Sequence, residues 1–174
     1  SMTSLPAALT IDDLHRAYAG GMTAAEAIEE VFRRIVAVDD PGIFIHQPEI
    51  ASVLAEAEAL GPFDPAAKPL WGIPFAVKDN IDVAGMPTTA ACPAFEYMPD
   101  EDAQAVRRLR DAGAIVIGKA NLDQFATGLV GTRTPYPIPR NSLDPDLVPG
   151  GSSSGSAAAV AQGIVPFALG TDTA

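Results

Sequence analysis

Two stretches of this sequence carry residue types that could do chemistry. The first is Trp71–Val77 (WGIPFAV), an apolar run that ends on Lys78-Asp79-Asn80. A lysine that closes a buried strand projects into an enclosed site, where burial lowers its pKa and lets the neutral amine act as a base near pH 7. A lysine that only marks the strand end and carries its ammonium back to water fits the local pattern about as well. The second stretch is Pro149–Ala174, PGGSSSGSAAAVAQGIVPFALGTDTA. It opens with glycines and serines, continues as small apolar residues for a helical span, and then reads VPFALGTD, a short buried strand. Small residues let backbones approach closely, and serines at a helix N-terminus set hydroxyls beside unpaired N–H groups. A pocket with polarised hydroxyls and an affinity for anions could be built there.

The familiar site patterns fit poorly. Gly151-Ser152-Ser153-Ser154-Gly155 matches the G-x-S-x-G elbow, which should follow a hydrophobic strand and needs a later histidine. The preceding NSLDPDLVP is no buried strand, and both histidines, His15 and His46, lie upstream in a helical layer where a structural role is expected. A serine hydrolase built here needs lysine as its base, and Ser-Lys variants are an established solution. The glycines lack the GK[ST] or G-x-G-x-x-G of a phosphate cradle. Cys92 with Lys78 and Glu96 could suggest a nitrilase-like set, but a lone cysteine is usually inert packing. No histidine or cysteine spacing suits a metal, so neither metal nor other cofactor is expected.

The elements that must position these residues can be read in order. Thr10, followed by Asp12 and Asp13, starts a helix over Ile11–Ala19 that Gly20-Gly21 ends. Thr23 and Glu26 form a capping-box pattern, and Ala27, Ile28, Val31, Phe32, Ile35 and Val36 keep helical spacing to about Val38. Ile43–His46 is a short β-like run and Glu49–Leu60 an Ala/Glu-rich helix. Residues 1–60 therefore read as an N-terminal helical layer, and 61–174 as the first part of an α/β core. Within that core, Gly61–Pro69 connects to the Trp71 strand, and Thr88–Glu96 reads as loop. Asp102–Ala112 is a helix with Ala105, Val106 and Leu109 inward and arginines outward. Ala114–Ile117 is a parallel-type strand, Lys119–Gly128 a short helix or loop, and Gly131–Pro149 irregular. Alternating helix and strand favour the α/β class.

The chain has 174 residues, an apolar fraction of 48% and a formal net charge of −11. Such an acidic excess disfavours nucleic acid and anionic membranes as partners. A single cysteine fits a reducing compartment, and no apolar run approaches a membrane span, so a cytoplasmic protein is expected.

Three blocks carry a resemblance: WGIPFAVKDNIDVAGMPTTA, DAGAIVIGKANLDQFATG and PGGSSSGSAAAVAQGIVPFALGTDTA. In this order they resemble the amidase signature family, over most of Trp71–Ala174. The resemblance implies an amidase-signature fold, an α/β domain with a mixed β-sheet core covered by α-helices, and a Ser–cis-Ser–Lys triad that hydrolyses amides. On it, Lys78 is the base, Ser152 is the bridging serine in a cis peptide linkage, and Thr173 and Ala174 offer backbone N–H groups to the oxyanion. Ala126 aligns with a position lining the acyl pocket, and Asp172 holds the turn. The nucleophilic serine of the family's pattern falls two residues beyond Ala174. The resemblance therefore implies a domain longer than this chain, with the sheet unfinished at Ala174 and the chain by itself inactive and poorly soluble. Within the family, NLDQFATGLVGTRTPY and the segments after it most resemble the allophanate-hydrolysing members. The tRNA-dependent amidotransferase members differ around Gly128–Arg133. The implied substrate is a small amide or ureide, and Arg133 is as much a surface residue as a clamp for its carboxylate. A homodimer is compatible with this reading. A broader carboxamide amidase, or a non-catalytic binding subunit of the same fold, are the alternatives.

Overall fold

The computed structural model describes residues 4–89, 93–121 and 154–170. Its N-terminal helices are α1 (Ile11–Ala19), α2 (Ala24–Val38) and, after strand β1 (Phe44–His46), α3 (Ile50–Ala59). Strand β2 (Pro74–Lys78), a 3-10 turn at Pro93–Phe95, α4 (Gln104–Asp111) and β3 (Ile115–Ala120) follow, and α5 (Ser154–Ala161) and β4 (Phe167–Leu169) complete the described elements. The first helices form where side chains cap them. Thr10 Oγ1 accepts from the Asp13 N–H at 3.0 Å. Thr23 Oγ1 accepts from Glu26 N at 3.0 Å while Glu26 Oε1 accepts from Thr23 N at 2.9 Å, the reciprocal box its spacing predicts.

The four strands make one mixed sheet in the order β1-β3-β2-β4. β1 runs antiparallel to β3, whereas β2 is parallel to both β3 and β4. Because strand side chains alternate between faces, each sheet face builds its own core. Ala76, Ile115 and Ile117 join Leu14, Ile28, Val31, Val53, Ala158 and Ala159 from the α1, α2, α3 and α5 side. Phe75, Val77 and Val116 join Val83, Met86 and Val106 from the α4 side. Helices thus cover both faces, the layering expected of the α/β class.

Several details depart from the sequence reading. The short β-like run read at Ile43–His46 forms β1, and it takes His46 out of the helical layer and onto the sheet. Lys119 does not begin a helix or loop; it sits within β3, fully buried. Ala105 on α4 is exposed, because Val106 and Leu109 alone suffice to seat so short a helix. Arg110 turns inward instead of outward, donating to Asp102 Oδ1 at 3.1 Å and lying 3.6 Å from Glu56. β4 is half-buried, not buried, with β2 its one neighbour among the described residues. β2 itself starts three residues late, at Pro74, because Lys68–Ile73 is spent in turns, with Trp71 N–H donating to Lys68 O at 2.9 Å.

A tie between distant segments closes the helical face. The Arg34 guanidinium donates to Leu5 O, Pro6 O and Ala7 O and, at 2.8 Å, to Gly163 O, 129 residues away in sequence. Gly163 has φ +73°, and a Cβ there would fall 2.0 Å from Ala7 O, so the approach requires glycine. Among the described residues no helix is long and apolar enough to cross a membrane.

Candidate active site

The parallel strands β2, β3 and β4 end side by side, and the carboxyl edge of such strands is where open α/β sheets bind ligands. Lys78 is the last residue of β2, opposite Ala120 of β3, and is 2% exposed. Burial holds its pKa below the ordinary lysine value. The β2–β4 register pairs Val77 with Leu169, so the next step sets Gly170 beside Lys78. A Cβ on Gly170 would lie 3.9 Å from Lys78 Cδ, in ordinary van der Waals contact. The GTDTA stretch therefore starts against the lysine stem.

The start of α5 is locked to the same edge. Asn121 follows Ala120 and is fully buried; its N–H donates to Ile43 O at 2.8 Å and its side chain to Gly42 O at 3.0 Å. Its carbonyl accepts from Gly155 N–H at 3.0 Å. A Cβ at Gly155 would meet Ile43 O at 2.4 Å and Asn121 N at 2.6 Å, closer than real contacts allow, so the glycine after the serine run is what lets α5 dock. One residue on, Ser156 is 8% exposed and its hydroxyl has no hydrogen-bond partner among the described residues.

A second polar group lies at this end of the sheet, and the sequence reading gave it no role. Lys119 and Asp79 are both fully buried, with Nζ 3.8 Å from Oδ1. Lys119 Nζ donates to Pro87 O and Thr88 Oγ1, each at 3.2 Å. Asp79 Oδ2 accepts from Thr89 N–H at 3.2 Å and from the Thr89 hydroxyl. Thr88 Oγ1 donates onward to Asp82 Oδ1 at 2.9 Å, which also accepts from Tyr97 OH. Burial lowers the Lys119 pKa, while Asp79 and Asp82 oppose that shift. The signal was present: Lys119, like Lys78, is a lysine at the close of an apolar strand.

His15 belongs to the structural set, as expected. Its Nε2 lies 3.2 Å from Trp71 O and its ring packs edge-on to Phe63, with centroids 5.4 Å apart. His46 is on the sheet and not in the helical layer. Burial and then Lys119 hold its pKa down against Asp79 and Glu96. Ser152, Thr173, Ala174 and Ala126 lie outside the described residues, as do Cys92, Arg133 and Asp172. Among the described residues no group of three or more His, Cys, Asp or Glu side chains could hold a metal ion.

A mixed α/β sheet with a desolvated lysine at its carboxyl edge, and a glycine-serine helix start docked beside it, is an arrangement that comparison with known proteins can place. Residues 26–174 match the Amidase family, and the chain belongs to it. It is 65% identical over 106 residues to the urea amidolyase of Saccharomyces cerevisiae, which covers 61% of this chain and 6% of that protein. It is 48% identical over 162 residues to a glutamyl-tRNA(Gln) amidotransferase subunit from Symbiobacterium thermophilum, 89% of this chain and 33% of that one. Among solved structures, Kluyveromyces lactis allophanate hydrolase superposes with a TM-score of 0.81 and 43% identity, over 95% of this chain and 28% of that chain. The chain thus spans a third or less of the length of these relatives.

Proposed function

We propose that this chain supplies the base and the proton relay of an amidase. Neutral Lys78 Nζ takes the proton of Ser152 Oγ as Ser152 takes that of a nucleophilic serine, which the family resemblance puts just beyond Ala174. The nucleophile's oxygen bonds to the substrate carbonyl carbon, and the oxyanion accepts hydrogen bonds from the backbone N–H groups of Thr173 and Ala174. The proton then returns by the same path to the leaving nitrogen. The C–N bond breaks, ammonia leaves, and water releases the acyl group by the same relay. Ala126 lines the acyl pocket. The single observation that carries this reading is the closeness of Gly170 to Lys78, which brings the start of the oxyanion segment to the base.

Allophanate, a small anionic ureide, is the substrate we favour. The likeness to Kluyveromyces lactis allophanate hydrolase, 43% identical over 95% of this chain, supports it. A broader carboxamide amidase is the second reading, favoured by amidotransferase relatives that align over 89% of the chain. The test uses the complete gene product and compares ammonia release from allophanate with release from simple carboxamides. Faster turnover of simple amides would remove the allophanate assignment. In the same protein, Lys78→Ala should stay folded and lose at least about 100-fold in kcat. Retained activity would defeat the relay.

A further inference from the structure

We infer that the buried Lys119–Asp79 pair, with Thr89, positions the catalytic lysine from the opposite face of the sheet. The inference rests on the reading of Lys78 as the base.

Lys78 and Asp79 share a peptide bond, with Asp79 the first residue past β2; Lys119, which pairs with it, stands in register with Val77 and so shares the face opposite Lys78. On its own face Asp79 is held at three points, by the Thr89 N–H, by the Thr89 hydroxyl and by Lys119 at 3.8 Å. Its backbone N–H donates to Ala120 O at 3.0 Å, and the Lys78 carbonyl accepts from Ile81 N–H at 2.9 Å. The peptide that aims Lys78 is thereby pinned on both sides at the point where the strand ends and would otherwise be free to twist. Lys119 carries the tie further, since its Pro87 and Thr88 contacts bind the 82–89 loop to β3.

Stability does not account for the pair. Well-packed apolar residues in place of a buried ion pair are often neutral or stabilising, whereas removal of one partner leaves a costly unpaired charge. A pair kept fully buried one residue from the proposed base is better explained by geometry, because a misplacement of about 1 Å can cost on the order of 100-fold in rate. Lys119 and Asp79 are positioning residues in this scheme, touching neither substrate nor the reacting atoms.

The test uses the complete gene product and the substrate it turns over best. Asp79→Asn should lower kcat about tenfold or more with KM within about twofold of wild type. The double variant Asp79→Asn with Lys119→Met removes both charges, so its Tm should recover toward wild type while kcat stays low. If kcat recovers together with Tm, the pair is structural and the inference is overturned. Thr89→Val is a milder probe that keeps the side-chain shape and deletes one donor to Asp79. It should lower kcat about threefold or more at unchanged KM, with Thr89→Ser restoring it. Should both Asp79 variants fail to fold, Thr89→Val decides, and wild-type kcat in it would refute the proposal. Lys78→Ala is measured alongside. Activity without Lys78 defeats the function reading itself, whereas an inactive Lys78→Ala beside a fully active Thr89→Val defeats only the positioning role.

Discussion

Lys78 is buried where its ammonium loses hydration, and this sets two pH dependences. Activity should rise with pH as the amine deprotonates, so the acid limb of the kcat/KM profile should fall below the ordinary lysine range. Lys78→Arg, whose charge cannot be removed, should abolish activity across the whole profile. Stability follows from the same shift. Between the lowered folded pKa and the ordinary lysine value the unfolded chain binds more protons, so stability rises with pH through that window and is lost as pH falls back through it. Urea unfolding at several pH values should show this slope, and Lys78→Met should reduce it, with Lys119 supplying the remainder. Lys78 was legible as a lysine closing an apolar run. Lys119 carried the same signal, but its pairing with Asp79 was not legible, because that buried ion pair depends on the loop at residues 87–89 folding back over β3. No local pattern in the 82–89 segment announces that contact.

At the scale of elements, the helix starts were the most legible features, since caps are local chemistry. Thr10 and Thr23 with Glu26 bind backbone within three residues, and the boundaries of α1 and α2 follow from them. The faces of α4 were less legible: three apolar residues in a short helix exceed what one sheet face needs, and alanine gives little preference between core and water. The docking of α5 depends on Gly155. Gly155→Ala should push the helix off Asn121 and Ile43 and destabilise the protein by about 1–3 kcal/mol, read by thermal melts. Because the serine run leads directly into α5, the same variant should lower kcat even where it remains folded. An unchanged melting temperature and rate would show that α5 can shift without cost.

Across the whole molecule, fold class and family could be read from the order of three motif blocks, and the mixed sheet with helices on both faces agrees with them. The composition gave charge and class but no site. Four of the five residues of the proposed site, Ser152, Thr173, Ala174 and Ala126, take their roles from family resemblance, since a single serine, threonine or alanine carries no periodic signature. If the nucleophile is encoded beyond Ala174, residues 1–174 expressed alone should release no ammonia from allophanate or any carboxamide. Measurable turnover by that polypeptide would require a different nucleophile and a new assignment throughout.

The Arg34 tie also bears on how the chain is made. Its farthest carbonyl is synthesised 129 residues after the guanidinium, an interval of roughly 6–26 s at ordinary elongation rates. During that wait Arg34 can hold the carbonyls of Leu5, Pro6 and Ala7 but lacks its fourth acceptor, and proteolysis of nascent chains at residues 5–7 should fall further once the Gly163 turn has emerged from the ribosome.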